Sequence, residues 1–150
     1  MRSREVHLFA RPQGLPTPEQ FRIIEKEVPD PADGQLLVEN IYMSVDPAMR
    51  PRLAGPTALN EPMMGGAIGR VLKSRNAAYK EGDHVESMQG FREYFLSDGK
   101  GLVPLDADGM PLVAYMSALG LTGLTAYGGL LVIGALKEGE NVFVDRKSVV

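Results

Sequence analysis

Residues Asn40 to Leu53 read NIYMSVDPAMRPRL, and in them an apolar run meets a sharp polar corner. The run comprises Leu36, Leu37, Val38, Ile41, Tyr42 and Met43. It stops at Ser44-Val45-Asp46-Pro47, and Ala48-Met49-Arg50 follows. Asp followed by Pro is a good helix start. A carboxylate can accept from the orphan amides of the first turn, and proline at the first helical position gives up no needed donor. The stretch therefore predicts a strand turning into one helical turn, with Asp46 as its cap. Met43, Ser44, Ala48 and Arg50 then surround a small volume. Such corners are common as plain architecture and also as sites.

Working outward, short strand-like segments recur on both sides. Glu5 to Ala10 is closed by Arg11-Pro12-Gln13-Gly14, and the proline-rich LPTPEQ leads to a half-exposed strand over Phe21 to Val28. The turn cluster Pro29 to Gly34 precedes the strongest strand, Gln35 to Met43. Leu53 to Pro62 reads as a loop able to cover a pocket. Ala67 to Lys73, His84 to Ser87, Phe91 to Leu96 and Leu102 to Leu105 complete the set. Short strands at this spacing predict a mainly β (α+β) domain, a small barrel or sandwich.

The texture changes after Asp108. Gly109 to Leu136 carries no charge, long enough to raise a membrane span. Gly120, Gly123, Gly128, Gly129 and Gly134 argue instead for two buried helices, Leu112 to Leu119 and Leu124 to Ile133, joined through Gly120-Leu121-Thr122-Gly123. Helices apolar on nearly every side need cover on more than one. Lys137 to Glu140 is a turn, and Asn141 to Val144 starts a new strand.

Composition narrows the function classes. The 150 residues are 44% hydrophobic and 23% charged, with net charge −3. This is ordinary for one globular core and offers no basic footprint for nucleic acid or anionic membrane. The absence of cysteine excludes disulfides and thiolate metal sites and fits a reducing, cytoplasmic address. The opening MRSREVHLFARP has no apolar segment of a secretory leader. Gly65-Gly66-Ala67-Ile68-Gly69 looks superficially like a phosphate loop, but it opens a strand rather than a helix, where glycine more often permits close backbone approach. His7 and His84 read as strand residues. Arg50 and Arg52 read as solvated surface cations.

Several strings, taken in order, resemble one family: IYMSVDPAMR, MMGGAIGRVLKS, KEGDHV, GFREYFLSDGKGLVPL and LGLTGLTAYGGLLVIGALKEGENVFV. Together they resemble the zinc-independent medium-chain dehydrogenase/reductases, nearest the prostaglandin, alkenal and curcumin reductase branch. The resemblance runs from Val6 to Val144. It implies a GroES-like β-barrel catalytic domain over residues 1–122, with helices leading into the start of a Rossmann nucleotide-binding domain over 123–150. It implies NADP as cofactor, no metal, and a small enone or enal reduced at its double bond. Aligning these strings puts the zinc branch's ligand positions at Met43, Gly65 and Leu121, where no side chain can bind zinc. The resemblance also places Leu121 and Thr125 beside the nicotinamide, and Met43 on the substrate-pocket wall.

Two departures accompany it. The residue after Asp-Pro, often tyrosine in this branch, is Ala48, so a pocket hydroxyl is missing at that place, and no catalytic residue is assigned. Tyr42, one strand position from Met43, is expected to face the other side. After Val142-Phe143-Val144 the chain reads DRKSVV where the family has a glycine-rich pyrophosphate turn. The expectation is a truncated enzyme, inactive alone. A quinone reductase domain and a non-enzymatic barrel binding module are the alternatives. An uncovered apolar face on Leu124, Tyr127, Leu130 and Leu131 is expected to drive homo-oligomer formation.

Overall fold

The computed structural model describes residues 1–144. Two antiparallel sheets form its frame. Strand β1 (Arg2–Leu8) pairs with β2 (Phe21–Glu27), in register from Arg2 opposite Glu27 to Leu8 opposite Phe21. The second sheet contains β3 (Leu36–Met43), β4 (Ala67–Ser74), β5 (His84–Ser87), β6 (Tyr94–Ser97) and β7 (Val103–Leu105), in spatial order β6-β3-β4-β5-β7. The mainly β expectation holds. The barrel is open, however: β1 is joined to the segments around the second sheet by isolated bridges at Glu5–Arg92 and His7–Pro62 and by side-chain hydrogen bonds of Ser3 to Tyr94 and Arg4 to Glu93, not by a ladder. Pro62 has no amide to donate, so a continuous ladder cannot run through it.

Burial in the central strands is continuous at one end rather than alternating: Leu36, Leu37 and Val38 of β3 and Ala67 to Gly69 of β4 are all buried. Leu36 and Val38 of β3 pack with Val71, Val85, Phe95 and Leu102, all nearly inaccessible. Tyr79 closes one end, its hydroxyl 3.2 Å from the carbonyl oxygens of Gly99 and Leu102. A smaller cluster of Leu8, Leu53 and Met63 sits under β1. Gly69 is required where β4 meets a register shift in β3 between Asn40 and Tyr42. A Cβ there would lie 2.4 Å from Val38 Cγ1 and 2.8 Å from the Glu39 carbonyl oxygen. The glycine-rich string is thus a close-packed strand entry, as its sequence context predicts.

Helix α1 (Met49–Ala54) begins later than expected. Asp46 does not cap it through its side chain; its carboxylate accepts from Ser44 Oγ at 2.5 Å instead. The backbone closes the corner, with Met49 N–H donating to Asp46 O at 2.9 Å and Arg50 N–H to Pro47 O at 3.0 Å.

The apolar stretch after Asp108 is also divided differently. A 3₁₀ segment over Leu112–Met116 is followed by α2 (Leu121–Tyr127), which runs into a π turn over Gly128–Ile133. Leu121 to Gly123, expected as a joint, is helical, and the break falls at Ser117 to Gly120. Gly123 is there for proximity: a Cβ would stand 1.8 Å from the Ala118 carbonyl oxygen. The helices are not buried within the described residues; Leu124 is 67% exposed and Ile133 86%. Asn141 to Val144 forms no strand, and the DRKSVV ending lies outside the described residues. Among the described residues, no helix is long and apolar enough to cross a membrane.

Candidate functional site

The corner at the end of β3 is built as much by backbone as by side chains. Ser44 N–H donates to the Gly66 carbonyl oxygen at 2.9 Å, which ties the corner to the segment entering β4. Gly65 lies beside it, buried, its carbonyl oxygen accepting from Gly90 N–H at 3.0 Å. A Cβ on Gly65 would come within 2.7 Å of Met49 Cε and 3.0 Å of the Phe91 ring. Phe91 is held in the left-handed region (φ 61°), and its N–H donates to Met43 Sδ at 3.3 Å. Met43, Met49, Gly65 and Phe91 therefore converge on one soft, apolar place.

Of the residues anticipated from sequence, Met43 and Gly65 are brought together through Phe91. Leu121 and Thr125 lie apart from them on α2, four residues from each other and therefore on one face. Leu121 is 80% exposed, and Thr125 Oγ1 donates to the Leu121 carbonyl oxygen at 2.7 Å. Ala48 is exposed in the turn before α1 and borders neither of the two cavities described here. Tyr42, expected to face away from Met43, borders with it a hollow of about 320 Å³ that Phe91 also lines. The register shift between Asn40 and Tyr42 disturbs the simple alternation. The zinc-branch positions Met43, Gly65 and Leu121 carry a thioether, a hydrogen and an isobutyl group. Among the described residues, no group of three His, Asp or Glu side chains could hold a metal ion.

A second cavity, about 490 Å³, lies under the loop that follows α1. The anticipated loop does line it, through Pro56, Thr57, Ala58 and Glu61. The loop is fastened to β1: Asn60 N–H donates to Leu8 O at 2.8 Å and Met63 N–H to Val6 O at 2.9 Å. His7 adds a side-chain tie, its Nδ1 2.9 Å from the Asn60 carbonyl oxygen and its Nε2 3.0 Å from Glu5 Oε2. A carbonyl oxygen can only accept, so Nδ1 carries a proton. Nε2 then faces the Glu5 carboxyl group.

Glu5 is 4% exposed, and Arg92 stands across from it on the cavity wall. Burial pushes the Arg92 guanidinium below its usual range, while the nearby charges of Glu5 and Glu61 oppose that fall. Sequence reading found neither residue. One signal was available: in Arg2-Ser3-Arg4-Glu5, the buried residues alternate with exposed arginines, so Glu5 has the inward parity.

Comparison with known proteins sets these features in a family. The model of the N-terminal domain of oxidoreductase matches residues 4–105. The NADPH-dependent curcumin reductase of Escherichia coli (strain K12) is 39% identical over 149 residues, covering 95% of this chain and 43% of the relative. Prostaglandin reductase 1 of Rattus norvegicus is 39% identical over 136 residues, covering 89% and 41%. The crystal structure of CurA in complex with NADPH from Vibrio vulnificus superposes with a TM-score of 0.81 at 35% identity, covering 91% of this chain and 42% of that one. The chain thus spans about two-fifths of the length of the relatives it matches. Its open strand frame, close-packed glycine entry and metal-incompetent corner agree with that match, and the chain belongs to the oxidoreductase N-terminal domain family, on the zinc-independent branch of the medium-chain dehydrogenase/reductases.

Proposed function

We propose that the chain provides the substrate-side domain of an NADP-dependent reductase that saturates the double bond of α,β-unsaturated ketones or aldehydes. The observation that carries this reading is the corner where Met43, Met49, Gly65 and Phe91 meet. It is apolar and polarisable, suited to the flat hydrocarbon part of an enone. Residues 1–122 form the catalytic domain in this reading, and 123–150 begin the nucleotide-binding domain.

NADP supplies the hydride when bound. Leu121 and Thr125 fit a role beside its nicotinamide. They share one exposed helix face, Leu121 offering an apolar surface and Thr125 a hydroxyl oxygen whose own proton is already donated. Met43 and Phe91 hold the acceptor's apolar body and exclude water from it. Ala48 leaves the pocket side without the hydroxyl its branch often has, so polarisation of the carbonyl falls to donors outside this corner. The apolar face of α2 and the π turn receives the rest of the nucleotide-binding domain or a second copy of the chain.

A chimera tests the reading, with residues 1–144 joined to the C-terminal part of the Escherichia coli curcumin reductase. Saturable NADPH oxidation with an enone, yielding the saturated ketone, is expected. Turnover of quinones alone would assign the domain to quinone reduction, and no turnover of either acceptor by a folded chimera would refute the proposal. The 150 residues alone are expected to give no saturable turnover, because reacting carbons must be held together and the cofactor would lack most of its anchoring amides.

A further inference from the structure

We propose that the 490 Å³ cavity beneath the loop after α1 binds an apolar small molecule ending in a carboxylate, separately from any hydride transfer. Its size falls within the range of small-molecule sites. One wall is hydrocarbon and thioether, from Met49, Leu53 and Met63. The other is charged. Lys26, Arg52 and Arg92 face it as cations, against Glu5 and Glu61.

The charge does not cancel. Three cations line the cavity against two carboxylates, Glu5 and Glu61. Of the two carboxylates, Glu5 is already engaged by His7 Nε2 at 3.0 Å. None of the three cations forms an ion pair with a described residue. Arg92 is the most telling, since its Nε is buried without a hydrogen-bond partner among the described residues. Burying a charged donor without an acceptor is costly, and a guanidinium's planar fork matches a carboxylate bidentately. The arrangement suits a head group near Arg92, with Lys26 and Arg52 at the more exposed rim, and a tail along Leu53 and Met63.

Calorimetric titration of the folded chain with octanoate, octan-1-ol and acetate is the test. Octanoate is expected to bind saturably at one site, more weakly as salt rises. Octan-1-ol and acetate, each lacking half of the recognition, are expected to bind at least about tenfold more weakly. Arg92→Gln should weaken octanoate by about tenfold or more. Should that variant fail to fold, the rim double variant Lys26→Gln/Arg52→Gln is expected to weaken it by about fivefold. Leu124→Asp/Ile133→Asp, which alters the exposed helical face, should leave octanoate binding unchanged. Equal binding of octanol, wild-type affinity in the folded cation variants, or loss of binding in the helical variant would each overturn the proposal.

Discussion

The strand frame and the helical stretch after Asp108 are both rich in leucine, isoleucine and valine, yet they use these residues oppositely. Leu36, Val38 and Val85 are completely buried, whereas Leu121 is 80% exposed and Val132 68%. The strands cover one another because the residues they bury, Leu36 and Val38 with Val71, Val85 and Phe95, meet within the frame. The helical stretch is apolar on more sides than 144 residues can cover. Hydrophobicity therefore reports what a segment must be packed against, not whether its partner lies in the same stretch of chain.

The sharpest way to break the contrast is a pair of truncations. Leu36→Ala should cost about 2–5 kcal/mol, since it opens a cavity in a fully packed core. Leu124→Ala should cost under about 0.5 kcal/mol. Urea denaturation of both variants measures the gap, and similar costs would mean that the tail is packed in solution. A smaller loss, about 1–3 kcal/mol, is expected for Gly69→Ala, where the new methyl meets Val38 and backbone rather than a flexible side chain.

Next comes association. Leu124→Asp/Ile133→Asp should shift light scattering toward monomer and reduce binding of a hydrophobic dye, while leaving the melting temperature at high dilution nearly unchanged. A wild-type chain that stays monomeric at high concentration would mean that the face covers itself.

The smallest effect is electrostatic. The hydrogen bond from Arg4 holds the Glu93 carboxyl below its usual range. The folded state thus binds the Glu93 proton less readily than the unfolded chain. The resulting stabilisation is complete above the ordinary glutamate range and fades as pH falls through the depressed value. Both groups are solvent-exposed, so the gain is slight. Melting temperatures of the wild type and Arg4→Met should differ a little at neutral pH and converge in acid.

Much of the frame is legible because alternation and turn chemistry act locally. The strand over Leu36–Met43, expected from its apolar run, and the one over Phe21–Glu27, expected from alternation, fall within a residue of their expected bounds. Competition between local partners is what misleads elsewhere. Asp46 is a sound cap by composition, but the Ser44 hydroxyl two residues earlier claims its carboxylate. Gly120 and Gly123 look alike and both permit close approach, a Cβ falling 2.1 Å from the Tyr115 carbonyl oxygen at one and 1.8 Å from that of Ala118 at the other, yet Gly120 is extended backbone before the helix and Gly123 lies inside it. The Met43 corner is visible in one continuous string. The charged cavity is not, since Glu5, Lys26, Glu61 and Arg92 meet only after β1 has paired with β2 and received the later loop.

The fastening of that loop bears on how the protein meets a protease. A surface segment with Gly55, Pro56 and no regular structure after α1 is ordinarily an early cleavage point. Here its far end is hydrogen-bonded to β1 at Asn60 and Met63, and its near end is held by Arg11, whose guanidinium donates to the Leu53 carbonyl oxygen at 3.2 Å. To enter a protease cleft the segment must shed these ties together, so its nicking rate follows the opening of β1 and not the motion of a free loop. In a limited digest the first cuts should fall after Asp106, with the peptide over residues 53–63 released only when the strand frame itself gives way.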